Sequence, residues 1–377
     1  MQENFDEQID ENKKLVIDLL NDDKEYPHEK LQQLLNFINN CENYKNKLNN
    51  VEIIVANERI PYNVFEIVEK LYQKSKNLFT VNLAVKHYDN CNRKDSETTK
   101  LWDIETIINA NKYIDEICSI VKNNNLSPAE ALAYIHLRVS KVAHYQSSEN
   151  RTWSSNDQYL VGAFMKKPEF VCAGFASLEK QIIDELNMPE LKCDILSIDL
   201  RKKDGSTDFE SHARLIINIT DKKYNINGHF YSDPTWDNVP KDKTPVYSHM
   251  FMPNDCHEYG QSKYEYDEDA YIYKKVGKYE RRLEDFPLYF AFCNESPVFL
   301  QQEKLEEIVF NTMSKTSNKS FNDLYSLLGE MAKSTYDNQI ERQYREKYSP
   351  TLQLQRQDAQ KIYNAIKNGE NSQEKSC

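Results

Sequence analysis

The chain has 377 residues and a formal net charge of -12, and it carries no basic tract or basic–aromatic stripe that would favour nucleic acid or an anionic membrane surface. Its length predicts one large domain or two to three modest ones, and 11% aromatic residues are enough for a packed core. The acidic N-terminus does not resemble a signal peptide, and no segment approaches the ~18 consecutive apolar residues of a membrane helix.

The eight cysteines are spread along the chain without a CxxC pair. This distribution is typical of reduced thiols in the cytosol rather than of a disulfide framework. We therefore expect a cytoplasmic protein, and export by a specialised route would leave no signal of this kind.

The first half of the chain is predicted to be mostly helical. Residues 1 to about 50 suggest two helices, the second with an apolar stripe that includes Cys41, and residues 62–76 suggest a third. Residues 51–55 and 78–85 are predicted strands. We expect three regions: a mostly helical N-terminal region (1–98), a core (99–255) and a mostly helical C-terminal region (256–377).

A strong helix start lies just ahead of the central stretch. Ser127 at the N-cap, Pro128 at the first helical position and Glu130 at the third form a capping box. The helix that it begins is expected to end near residues 144–145. A further helix over 101–122 precedes it.

The central stretch alternates one helix with strands. A helix is predicted over 173–187, a strand over 191–200, and a hairpin from strands 211–220 and 224–231. If paired hairpin positions sum to 444, His212 lies opposite Ser232. A bulge at Gly228 would instead bring Asp233 opposite His212.

Cys172 has the setting of a reactive thiol, because it stands where the predicted helix begins. Unpaired N–H groups and the helix dipole at that end lower a thiol's pKa and can bind an oxyanion. Small residues follow it (Ala173, Gly174 and Ala176), so a substrate backbone can approach. The alternative is a small buried core residue, which is the common fate of free cysteine.

His212 and Asp233 supply the other two parts of a thiol mechanism. His212 shares the more polar face of its strand, and Asp233 follows the next strand. Together they provide a base and a group that orients the base. Taken singly, His212 could be an ordinary strand histidine, and Asp233 with Pro234 could simply form a turn.

Three short motifs in this order resemble the core of the transglutaminase-like superfamily: residues 171–176 (VCAGFA), 211–214 (SHAR) and 231–237 (YSDPTWD). The resemblance covers roughly residues 100 to 250. It implies an α+β fold with a papain-like core, in which the cysteine helix packs on an antiparallel sheet. The helical flanks on either side are predicted from their sequence pattern. The resemblance also implies that Cys172 is the nucleophile, His212 the base and Asp233 the residue that holds the imidazole. Arg214 departs from the aromatic residue that many members carry soon after the histidine.

The family's oxyanion donor, a side chain upstream of the cysteine, is not fixed by any motif here. Trp153, Gln158 and Tyr159 are candidates, and Trp153 is preferred because its indole N–H can only donate. Trp236 is expected to shield the site or to pack beneath it. No zinc-ligand spacing and no phosphate-binding glycine pattern occurs, so we expect neither a metal nor a cofactor.

These observations predict a thiol-dependent hydrolase or acyltransferase that acts on amide bonds of a protein or peptide through an acyl-thioester. A protease or deamidase is favoured over a cross-linking transglutaminase, because calcium sites and extra β-domains are not evident. The alternative is a catalytically inactive member of the fold that serves as a binding or scaffold module.

Overall fold

The structure is a computed structural model that describes residues 5–21, 25–87, 98–146, 156–202, 209–238, 250–251, 264–266, 273–276, 279–282 and 302–316. The chain divides into two compact units. Unit 1 comprises Met1–Glu116 and Tyr159–Glu169, and unit 2 comprises Ile117–Gln158 and Phe170–Cys377.

Unit 1 is built on a four-stranded sheet with the strand order β1-β2-β3-β4. Its strands are β1 (Lys14–Asp18), β2 (Asn50–Val55), β3 (Thr80–His87) and β4 (Thr98–Asp103). The first three are parallel, and β4 pairs antiparallel with β3. Helices α1 (His28–Asn40) and α2 (Tyr62–Ser75) provide the crossovers that parallel strands require, and α3 (Ile104–Asn123) follows β4.

Unit 1 mixes helices with a sheet, so the N-terminal region contains more strand than the sequence predicts. The first predicted helix is replaced by β1, in which Leu15 and Ile17 are buried while Val16 between them is 43% exposed. That period of two belongs to a strand. The second predicted helix is confirmed as α1, and Cys41 beyond its end is buried, as expected for a core thiol.

Unit 2 contains a second four-stranded sheet, wholly antiparallel, with the order β7-β6-β5-β8. Its strands are β5 (Leu191–Lys202), β6 (Phe209–Asp221), β7 (Ile226–Ser232) and β8 (Tyr264–Tyr266). Strands β9 (Tyr273–Val276) and β10 (Tyr279–Arg282) form a separate antiparallel ladder. Three helices complete the described part of this unit: α4 (Pro128–Ser140), α5 (Cys172–Leu186) and α6 (Gln302–Thr316).

Helix α5 packs against β5 and β6, and α4 packs against α5, β6 and α6. The inward face of α5 is apolar, and the helix ends where Asn187 adopts the left-handed conformation. Of the predicted C-terminal helices, the one over 303–313 is confirmed as α6. Those over 321–333 and 352–366 lie outside the described residues.

The capping box at the start of α4 is confirmed in both directions. Ser127 Oγ accepts from the Glu130 N–H, and the Glu130 carboxylate accepts from the Ser127 N–H. Glu130 is fully buried and also binds Lys223, Lys315 and the hydroxyl of Tyr224. Burial raises the pKa of Glu130, but these partners outweigh it and lower the pKa to about 2. The helix ends at Ser140, earlier than predicted.

The predicted hairpin forms, but its predicted register is wrong. Leu215 faces Ser232 and Ile219 faces Gly228, so paired positions sum to 447 rather than 444. Gly228 pairs regularly with no bulge. Asp233 therefore leaves the end of β7 and reaches His212 through the following turn, not from a position directly opposite.

The α+β class is confirmed by these sheets and helices. Among the described residues, no helix is long and apolar enough to cross a membrane.

Candidate active site

Cys172 is the first residue of α5, and the start of this helix is tightly packed. Val171, at the N-cap, is extended, and its N–H donates to the Asp157 carbonyl at 3.1 Å. A Cβ atom at Gly174 would lie 2.5 Å from the Phe170 ring and 2.8 Å from the Asp157 carbonyl oxygen. A larger residue at Gly174 would displace the Phe170 ring and the Asp157 backbone, so glycine there permits close packing of the helix start.

The Cys172 thiol is 4% exposed and hydrogen-bonded to His212. Burial raises its pKa. The hydrogen bond and positive charge of His212, with a hydrogen bond from the backbone of Ala213, more than offset that effect and lower the pKa below its ordinary value. A thiolate is the reactive form of cysteine, so these contacts favour a nucleophile.

His212 lies on β6 between Cys172 and Asp233. Its Nε2 donates to Asp233 Oδ2 at 2.5 Å, which leaves Nδ1 as the nitrogen for the thiol. Burial lowers the pKa of His212, but the charge of Asp233 and the bond to Cys172 outweigh it and raise the pKa to about 10. Both shifts favour the ion pair of a thiolate and an imidazolium over the neutral pair.

Asp233 is fully buried and is itself oriented by the turn that carries it. Its Oδ1 accepts from the backbone N–H of Thr235 at 3.2 Å, while Oδ2 binds His212. Trp236, from the same turn, stacks on the His212 ring with a centroid distance of 5.1 Å and an interplanar angle of 21°. One short turn therefore holds the imidazole by its edge and by its face.

Of the three candidate oxyanion donors, the structure describes Gln158 and Tyr159. Gln158 is half-buried at the end of a 3-10 helix (Asn156–Gln158) that packs against α5. Tyr159 belongs to unit 1, where its ring packs edge-on against Trp102 at 5.7 Å. Trp153 lies outside the described residues. Arg214 is buried, with its guanidinium 3.7 Å from the centroid of the Tyr231 ring.

Cys193 on β5 provides a contrast with Cys172. The two side chains are about equally buried, at 6% and 4% exposure. Burial raises the pKa of Cys193 well above its ordinary value, and the nearby ammonium of Lys180 only partly opposes this. The surroundings of Cys193 therefore favour the neutral thiol, and the partners of Cys172 account for its opposite shift.

A second buried histidine site, which the sequence pattern did not reveal, lies beneath this one. His136 on α4 is fully buried, and its ring bonds to Ser232 and Asp237, with Glu179 adjacent. We name these four residues the His136 network. The available signal was Glu179 within the inward apolar stripe of α5, because a carboxylate there requires a buried partner.

No protein-family model, no curated protein and no solved structure significantly matches the chain. Within the part of the chain that the structure describes, no group of three or more His, Cys, Asp or Glu side chains could hold a metal ion.

Proposed function

We propose that the chain is a thiol enzyme of the transglutaminase-like superfamily that acts on amide bonds of a protein or peptide. The observation that carries this proposal is the arrangement of Cys172, His212 and Asp233 at the start of α5. A buried thiol hydrogen-bonded to an imidazolium, which is itself held by a carboxylate, has the three roles of an activated nucleophile. The antiparallel sheet beneath the cysteine helix is consistent with a papain-like core.

In the proposed reaction, the Cys172 thiolate attacks the amide carbonyl and forms a tetrahedral intermediate. The first-turn N–H groups of α5 face the developing oxyanion, since Val171 makes no side-chain cap there. The His212 imidazolium then gives its proton to the departing amine, the C–N bond breaks, and an acyl-thioester remains. Neutral His212 next takes a proton from the acceptor that attacks this thioester, the C–S bond breaks, and the Cys172 thiolate is released.

The acceptor decides the outcome. Water gives proteolysis when the amide is in the backbone and deamidation when it is in a glutamine or asparagine side chain, whereas a primary amine gives transamidation. We favour hydrolysis. The supporting observation is the 4% exposure of Cys172, because water reaches an enclosed thioester more easily than an amine side chain does.

The test uses an unstructured protein substrate and three readouts in parallel. New peptide N-termini report proteolysis, free ammonia reports deamidation, and incorporation of a fluorescent primary amine reports transamidation. We expect at least one product from the full chain and none from Cys172→Ala, with circular dichroism showing that the variant is folded. If no product depends on Cys172 and any cellular function survives Cys172→Ala, the binding-module alternative is favoured instead.

A further inference from the structure

The His136 network is a closed set of hydrogen bonds in the interior of unit 2. His136 Nε2 lies 2.8 Å from Asp237 Oδ2, and Nδ1 lies 2.9 Å from Ser232 Oγ and 3.3 Å from Glu179 Oε1. The Ser232 hydroxyl donates to Glu179 at 3.0 Å, so its oxygen accepts from Nδ1–H. Both ring nitrogens therefore donate, which makes the ring an imidazolium.

The charges agree with this assignment. Burial lowers the pKa of His136, but hydrogen bonds to Asp237 and Glu179 outweigh it and raise the pKa to about 10. Glu179 approaches from α5 and Asp237 from the segment after β7, so one cation lies between two carboxylates. A fully buried carboxylate is tolerable only when it is paired in this way.

The combination of Ser232, His136 and Asp237 has the composition of a serine hydrolase triad, but its setting argues against catalysis. Ser232 is fully buried, and its hydroxyl donates to Glu179 instead of to the imidazole. A nucleophile needs its proton directed at the base. The network therefore serves another purpose.

The positions of the residues in the His136 network indicate its role. Ser232 and Asp237 lie immediately before and after the turn 233–236, in which Asp233 binds His212 Nε2 and Trp236 stacks on the same ring. Glu179 follows Cys172 by two helical turns on α5, hence on the same side of that helix. One imidazolium thus ties both ends of the turn to the helix that carries the thiol.

We propose that His136 is a positioning residue for the Cys172 reaction, which fixes the turn 233–236 so that Asp233 and Trp236 hold His212 against the thiol. This inference rests on the proposed function. A displacement of about 1 Å at a reacting group can reduce a rate about 100-fold, so fixing this turn matters for chemistry.

The test measures the rate of Cys172 alkylation by iodoacetamide in the full chain, from about pH 4 to about pH 9, with the labelled cysteine located by peptide mass spectrometry. Wild type should show the midpoint of a thiolate with a lowered pKa. His136→Gln should move that midpoint upward by about one pH unit, and so slow alkylation about tenfold below it, because a loosened turn weakens the hold on His212.

Glu130→Gln is the matched control. It alters a buried, ion-paired carboxylate on the same helix, whose partners are Ser127, Lys223, Tyr224 and Lys315 rather than residues of the turn. It should reduce stability and leave the midpoint unchanged. If His136→Gln does not fold, Asp237→Asn decides: it keeps the shape of the network, and it should move the midpoint in the same direction by roughly half a unit.

The outcomes separate the two proposals. An ordinary, unshifted thiol midpoint in wild type overturns the proposed function, and the positioning role falls with it. A low wild-type midpoint that neither His136→Gln nor Asp237→Asn moves overturns the positioning role alone. An equal shift in Glu130→Gln also overturns it, because the effect would then be general loosening of α4.

Discussion

His212 and His136 are two buried imidazoles in one unit, each held by an aspartate from the same short segment. Asp233 binds His212, and Asp237, four positions later, binds His136. Both rings have a pKa raised to about 10 by carboxylates. The difference lies at the other ring nitrogen. In His212 it faces the Cys172 thiol, and in His136 it contacts Ser232 beside Glu179.

A raised histidine pKa therefore does not by itself mark a reactive site. His136 is enclosed among groups that cannot react, so its charge stabilises structure. His212 shares its charge with a thiol, so under the proposed function the same stabilisation would activate a nucleophile. The raised pKa has the same electrostatic cause in both histidines, and the group at the second ring nitrogen is what differs between them.

The largest effect should come from removing the imidazole that the thiol contacts. His212→Gln leaves Cys172 buried without a cationic partner, so its pKa should return above the ordinary value, as burial does for Cys193. At about pH 6, alkylation should fall roughly 100-fold or more. Stopped-flow labelling with iodoacetamide measures this, and Cys193 in the same sample is the unreactive reference.

An unchanged labelling rate in His212→Gln would mean that the helix start alone activates Cys172, and the comparison of the two histidines would then lose its meaning.

The next effect separates the two aspartates. Asp233→Asn should slow alkylation by roughly 10-fold to 100-fold near neutral pH, because the imidazolium loses its closest counter-charge. Asp237→Asn should slow it by only a few-fold and should instead lower the free energy of unfolding by roughly 1–3 kcal/mol, because it weakens a fully buried ion pair.

Urea unfolding monitored by fluorescence, run beside the labelling assay, measures both quantities for each variant. Equal effects of the two variants in both assays would contradict separate roles for the two sites.

The smallest effect is the pH dependence of stability. The pKa of His136 is raised from 6.5 in the unfolded chain to about 10 in the folded one, so the folded state binds the extra proton between these values. Its stabilising contribution is complete below about pH 6.5 and declines as pH rises toward 10, at up to about 1.4 kcal/mol per pH unit. His212 contributes less to this pH dependence, because the lowered pKa of Cys172 makes stability rise with pH and so opposes it.

His136→Gln should therefore flatten the alkaline decline in urea midpoints between about pH 7 and about pH 9. A decline as steep as that of wild type would show that another group causes it.

The parts of the site that were predictable from sequence are local. The start of α5 at Cys172 and the capping box of α4 depend on neighbouring residues, and both were anticipated. The hairpin register was missed because the turn is longer than its sequence suggests. Tyr224 was assigned to a strand, but its hydroxyl is bound by Glu130, and Asn225 takes a left-handed conformation within the turn.

The His136 network could not be predicted for a related reason. His136 stands 96 positions before Ser232 and 101 before Asp237, so no local pattern connects them. In unit 1, three apolar residues in β1 fit a helix face or a buried strand equally well, and only the neighbouring strand β2 distinguishes them. Long-range partners, not propensities, decide these elements.

The bond between Glu130 and Lys315 bears on how unit 2 folds while the chain is being synthesised. The bond joins α4 to α6 across 185 positions. The residues of α4, α5 and strands β5–β7 are therefore synthesised well before those of α6. During that interval the buried Glu130 carboxylate has Lys223 as a cationic partner but still lacks Lys315. The nascent chain therefore carries Cys172 and its partners on a unit to which α6 has yet to pack.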